Sequence, residues 1–214
     1  MATNLDLQEQ EQIDELKHFW SKWGTLITTV LVIVLGGFAA WNGYQYWQNR
    51  QGAQANALGS AVEAAINSGD KARIEQAFSD LRSNYGGTMQ AAQSGLLVAK
   101  AASDKGQMDD AKVALSWVAD NASDEGLKAT ARIRLAAVLL NSQSYDEALK
   151  LLDAKMPTEF DALIADHKGD LYLAKGDKAK AIESYRAAFQ KMDASMDYRN
   201  VISVKLNALG EEVK

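Results

Sequence analysis

The chain has no cysteine, a single proline and only two histidines. Without cysteine there is no disulfide and no thiolate to act as nucleophile or metal ligand, a composition that fits an oxidising compartment without requiring one. One proline and many alanines leave long helices uninterrupted and point to an all-helical domain. Two histidines leave little material for acid–base or metal chemistry. A basic surface is missing too. The net charge is −5, and bases and acids are interleaved along the second half of the chain. No basic stripe exists to neutralise phosphates, so nucleic acid is excluded as a partner.

The absence with the largest consequence lies between Lys22 and Arg50, where no side chain is charged. A helix needs roughly 20 apolar residues to cross a bilayer core. Trp20 and Trp23 stand at one edge of the run, and Trp41, Tyr44, Tyr46 and Trp47 at the other. Amphipathic rings collect at both membrane interfaces. As a helix, Trp23 to Trp47 spans about 36 Å, enough to join them. A buried soluble helix rarely runs so long without a charge. A cleaved signal peptide is shorter and opens on basic residues, whereas this tail carries Asp6, Glu9, Glu11, Asp14 and Glu15 against Lys17 and Lys22. The run therefore reads as an uncleaved single-pass anchor. Lys17 and Lys22 on one side against Arg50 on the other place the N-terminus in the cytoplasm. The expected layout is an acidic cytoplasmic tail (1–22), a transmembrane helix (23–48) and a soluble domain (49–214). In a Gram-negative cell this is an inner-membrane protein with a periplasmic domain.

The soluble part reads as helix after helix, with Gly-Asp or Ser/Asn-rich breaks between apolar periods. Within residues 162–188, Gly169, Tyr172, Gly176, Ala181, Tyr185 and Ala188 have the offsets of a tetratricopeptide repeat. The small residues let two helices approach closely, and Gly176 supplies a left-handed residue to end the first of them. Lys168 departs from the pattern, standing where a large apolar residue is usual. The same frame laid backwards makes Ala148 and Ala111 counterparts of Ala181, and Gly69-Asp70 the mark of a first, degenerate unit. Ser144 and Glu147 have capping-box spacing, and Thr158 after Pro157 reads as a cap opening the last repeat. Each helical hairpin leaves an apolar side bare, which stacking covers. The expected fold is all-α: one transmembrane helix, then a tetratricopeptide-like α-solenoid of three or four units and a closing helix from Met196 to Leu209.

Four stretches carry a resemblance: Ser123-Asp-Glu-Gly-Leu-Lys-Ala129, Arg134-Leu-Ala136, Ile164-Ala-Asp166 and Leu173-Ala-Lys-Gly-Asp-Lys178. With the acidic tail, single span and repeats, the chain resembles the YfgM family of ancillary SecYEG translocon subunits. The resemblance implies a periplasmic domain that works beside the translocon with the membrane-anchored chaperone PpiD, on exported client chains. It also implies a cytosolic tail that restrains the response regulator RcsB, the alternative centre of function. The residues themselves, with two histidines and no catalytic pattern, point to no cofactor and no enzyme.

A solenoid of helix pairs offers a concave surface. In the repeat frame its first helices present Gln93, Leu96 and Lys100, then Thr130, Ile133, Ala137 and Leu140, then Leu163, Asp166, Asp170 and Leu173. The candidate partner groove is Leu96, Ile133, Ala137, Leu140, Leu163, Asp166, Asp170 and Leu173. In the span, Gly36 and Ala40, and Ala39 and Gly43, stand four apart with Gly37 beside them, a small-residue strip for packing against another membrane helix. Ile13, Leu16, Trp20 and Trp23 share one helical face before the span. His167 with Asp170 has a spacing that reaches a metal, but a lone histidine among carboxylates on a solvated helix is ordinarily surface. Asp109-Asp110 and Asp124-Glu125 begin helices, where negative charge offsets the dipole. Gly86-Gly87-Thr88 is a turn without a phosphate-loop context.

Overall fold

The computed structural model describes residues 7–211; residues 1–6 of the expected tail, Asp6 among them, and 212–214 lie outside the described residues. Among the described residues there are helices and no strand. The chain divides into two compact units, Met1–Arg50 and Gln51–Lys214. Helix α1 (Leu7–Ser68) makes up the described part of the first unit and opens the second.

In the first unit most large apolar side chains are exposed: Val32, Leu35 and Phe38 are 64%, 62% and 67% exposed. A run of exposed aliphatic residues without a charge suits hydrocarbon rather than water. Three of its polar side chains are satisfied by the helix's own backbone. The Thr28 and Thr29 hydroxyls donate to the carbonyls of Gly24 and Thr25 at 2.5 and 2.7 Å, and the Asn42 amide donates to that of Phe38 at 2.9 Å. Such back-bonding lets hydroxyl and amide groups enter a layer that offers no water.

The second unit is built from helical hairpins. Residues 51–68 of α1 pair with α2 (Lys71–Tyr85), and α3 (Met89–Asp104) with α4 (Met108–Asn121). Helix α5 (Glu125–Asn141) pairs with α6 (Tyr145–Leu152), and α7 (Asp161–Ala174) with α8 (Lys178–Lys191). Helix α9 (Tyr198–Ala208) closes the array. One device ends the first helix of each pair: a residue with positive φ, namely Gly69, Gly106, Gln143 and Gly176 at 73°, 73°, 59° and 83°. The next N–H then reaches back around the turn, from Gln107 to the Ala102 carbonyl, Ser144 to Leu139 and Asp177 to Tyr172, each at 2.9 Å. This is the Schellman closure, and it favours glycine because only glycine enters that backbone region without steric cost. Gln143 is the exception. The same closure follows α9, with Gly210 at φ 83° and the Glu211 N–H on the Leu206 carbonyl at 3.1 Å. The five turns are spaced 37, 37, 33 and 34 residues apart. Helix α9 is therefore the first helix of a further unit.

Counted from these turns, equivalent residues do equivalent work. Ala111, Ala148 and Ala181 fall at one position, and all are fully buried. Phe78, Leu115, Leu152 and Tyr185 fall at another, and fill the space between paired helices. Gly169 is small by necessity, since a Cβ there would lie 2.4 Å from the Tyr185 ring. Asp124 caps α5 through the Leu127 N–H at 2.8 Å, and Thr88 caps α3 through the Ala91 N–H at 3.3 Å. Asp109 and Asp110 lie in the first turn of α4.

Two caps differ from expectation. Ser144 makes no side-chain cap hydrogen bond. Its backbone N–H is already engaged with Leu139 in the turn, and Glu147 points instead to Lys112 of the preceding hairpin at 3.2 Å. Thr158 opens a 3-10 turn (Thr158–Phe160), so α7 begins only at Asp161. One apolar cluster runs from the α1 segment to α7, and a second, smaller one joins α8 to α9 through Tyr185, Ala188, Ile202 and Leu206.

Candidate partner-binding surface

The turns supply an independent register for the expected groove. Leu96, Ile133 and Asp166 are equivalent, each ten residues before its turn, and Ala137 and Asp170 are equivalent at six. Leu140 and Leu173 share the position three before. The register is coherent, yet the positions differ in access. Leu96 and Ile133 are 9% and 7% exposed and belong to the main core. Asp166 is fully buried. The reason is stacking. Helix α5 packs against both α3 and α7, and the residues five before each next turn, Val138 and Leu171, are buried in the same cluster. A residue ten before the turn is therefore covered by the first helix of the following unit. Ala137, Leu140 and Leu163 are half-buried, and Leu173 is 42% exposed. Gln93 and Lys100 are exposed, Lys100 paired with Asp104 at 2.6 Å. The inner face that stays open is thus polar on α3 and apolar on α5 and at Leu173.

At the last interface the apolar pairing gives way to an ionic one. Lys205 of α9 stands at the position of Val138 and Leu171. Its ammonium donates to both carboxylate oxygens of Asp166 at 2.8 and 2.9 Å, and to both of Asp170 at 2.8 and 2.9 Å. The Tyr198 hydroxyl donates to Asp166 at 2.8 Å and that of Tyr185 to Asp170 at 2.7 Å. Burial, and then the carboxylate partners, push both phenols well above their ordinary range, so they remain protonated donors. Burial also holds the His167 imidazole below its ordinary value, against the opposing pull of Asp166 and Asp170. Sequence reasoning assigned Asp166 and Asp170 to a groove and missed Lys205, Tyr198 and Tyr185 as their partners. The one available signal was Lys205 standing at an otherwise apolar register position. Among the described residues no group of three or more His, Cys, Asp or Glu side chains is arranged to hold a metal ion.

In the first unit, the helical geometry of α1 sets Gly36, Ala39, Ala40 and Gly43 on one face, with Gly37 turned toward its side. An added Cβ at Gly36, Gly37 or Gly43 would meet nothing within 4 Å. The exposed face of Leu16, Trp20 and Trp23 precedes this strip.

A family model described as a tetratricopeptide repeat-like domain matches residues 17–211. The chain is 33% identical over 207 residues to a Neisseria gonorrhoeae protein named ancillary SecYEG translocon subunit, covering 95% of this chain and 98% of that one. A Haemophilus influenzae protein of the same name is 31% identical over 209 residues, covering 95% and 98%. One from Escherichia coli is 27% identical over 207 residues, covering 94% and 96%. This chain belongs to the ancillary SecYEG translocon subunit family. No solved structure matches it. For this family member, the one apolar helix long enough to cross a membrane among the described residues fits a single-pass inner-membrane protein, and tetratricopeptide-like repeats follow it.

Proposed function

We propose that this protein is a non-catalytic, membrane-anchored adapter at the SecYEG translocon, with its N-terminus in the cytoplasm and its repeat domain in the periplasm. The repeats present an inner face to a PpiD-like chaperone and to exported chains leaving the channel. The observation that carries the reading is the near full-length match to relatives named for that complex, joined to a charge-free helical run from Val30 to Trp47 whose large apolar side chains are exposed. The orientation rests on Lys17 and Lys22 against Arg50. The strip of Gly36, Ala39, Ala40 and Gly43 is the proposed contact with a translocon helix, since close van der Waals packing drives association in lipid. On the soluble side, Ala137, Leu140, Leu163 and Leu173 are the proposed contacts, while Leu96, Ile133, Asp166 and Asp170 hold neighbouring units in place.

Photocrosslinking in cells tests this. A photoreactive residue at position 37 or 40 reports on the span, and one at 173 on the repeats. Position 133 is unsuitable because Ile133 is core. Adducts from the span to translocon subunits, and from 173 to a periplasmic chaperone or newly exported chains, are the expected result. Adducts to lipid and to other copies of the chain alone would overturn the adapter reading.

A further inference from the structure

Helix α9 is held differently from the hairpins before it. Its buried side chains, Ile202 and Leu206, join Ala181, Tyr185 and Ala188 of α8 in an apolar cluster separate from the main core. The Arg199 guanidinium lies over the Phe189 ring at 3.9 Å, and Arg186 of α8 pairs with Glu211 beyond the closing turn. Residues 192–197 connect α8 to α9, six residues where 86–88 and 122–124 link earlier hairpins with three. A terminal helix with its own small cluster and slack chain before it is suited to open by itself.

The charges where α9 meets α7 do not balance. Asp166 and Asp170 carry two negative charges, and Lys205 between them carries one positive charge. Tyr198 of α9 and Tyr185 of α8 are neutral donors to the same carboxylates. His167 follows Asp166 on α7 and is half-buried. The charges acting on its imidazole are those of Asp166, Asp170 and Lys205. Lys168, next along α7, is turned to Asp153 at 2.6 Å, and Arg134, the residue of α5 at the register of His167, is exposed. His18, the other histidine, precedes the span, so the second unit has one imidazole to titrate.

With α9 docked, partial burial and the Lys205 ammonium both oppose a charge on that imidazole. Opening α9 takes Lys205 away and leaves both carboxylates in place. The imidazole therefore takes up a proton more readily when α9 is undocked, and by linkage a proton there favours undocking by the same factor.

We propose that α9 is an acid-released latch, in which Lys205 between Asp166 and Asp170 holds the helix closed and protonation of His167 loosens it while the preceding hairpins stay folded. Val204, 66% exposed at the register of Ala137 and Asp170, leaves the inner face when the latch opens. The latch goes beyond the adapter reading and does not depend on it.

Hydrogen exchange of the full chain in lipid nanodiscs tests this, expressed as protection factors so that the intrinsic pH dependence of exchange cancels. Between pH 7.5 and 5.5, residues 198–208 should lose protection by about tenfold, the limit for one proton whose open-state value is the ordinary 6.5. Residues 89–152 should not change. His167→Gln and His167→Asn each keep a neutral polar group at that position, and both should retain at pH 5.5 the protection seen at pH 7.5. Lys205→Met should already show low protection over 198–208 at pH 7.5. Unchanged protection of α9 in the natural chain, an equal loss over residues 89–152, or a loss that persists in both His167 variants would overturn the proposal.

Discussion

Replacing Lys205 with Met takes an ammonium out from between two carboxylates, one of which has no access to water. Asp166 is fully buried, and Lys205 and Asp170 have side chains 25% and 26% exposed. Removing one partner of a fully buried ion pair costs about 3–5 kcal/mol, because the remaining charge is left uncompensated. Partial access of water to Lys205 and Asp170 brings the expected cost down to about 2–4 kcal/mol. Against this stands the apolar docking of α9, chiefly Ile202 and Leu206, both fully buried. At about 1.5–3 kcal/mol each they supply about 3–6 kcal/mol. The loss is thus comparable to what holds α9 in place. Because α9 shares its apolar cluster with α8 and not with the main core, it should open locally while the preceding hairpins stay folded. Amide hydrogen exchange over residues 198–208 should accelerate by a factor of about 30 to 1,000, with little change over residues 89–152. The register suggests a compensating change. Ile133 and Leu171 occupy the positions of Asp166 and Lys205 one unit earlier, so Asp166→Ile with Lys205→Leu should restore protection to about the original level. Unchanged exchange in Lys205→Met, with the fold intact, would refute the view that this cluster clamps the terminal helix.

Gly169→Ala should destabilise the domain by about 1–3 kcal/mol, because the new Cβ meets a buried Tyr185 ring with nowhere to move; urea midpoints measure this, and an unchanged midpoint would contradict the close approach. Gln143→Gly should stabilise by about 0.5–1 kcal/mol, since Gln143 holds φ 59° where the other turns use glycine; a rise of a few degrees in the melting temperature is the expected readout. The half-buried His167 imidazole has a folded pKa below its ordinary 6.5. The unfolded chain therefore takes up a proton first, and stability should fall as pH drops from 6.5 toward the lowered value. His167→Gln should flatten that slope, and denaturant titrations at several pH values below neutrality would show whether it does. Asp124→Ala should cost about 1 kcal/mol through loss of the α5 cap.

Much of this protein was determined by short-range pattern. A charge-free run bounded by aromatic residues specifies a membrane helix because hydrocarbon thickness and the cost of a buried charge act residue by residue. Gly176, Ala181 and Tyr185 specify a repeat because turn geometry and helix approach are local requirements, and Ala148 and Ala111 then follow by spacing. Leu96, Ile133 and Asp166 hold equivalent positions when counted from the turns, as their spacing in sequence implies. What only the tertiary structure decided is which of those residues remain open. Leu96 and Ile133 pattern like groove residues, yet the next hairpin covers them, and coverage depends on stacking rather than on any local period. Ser144 and Glu147 satisfy a capping pattern, but the turn's own hydrogen bonds and a lysine one unit earlier claim both groups. Asp166 and Asp170 look solvated on a helical wheel until Lys205, far along the chain, is brought onto them.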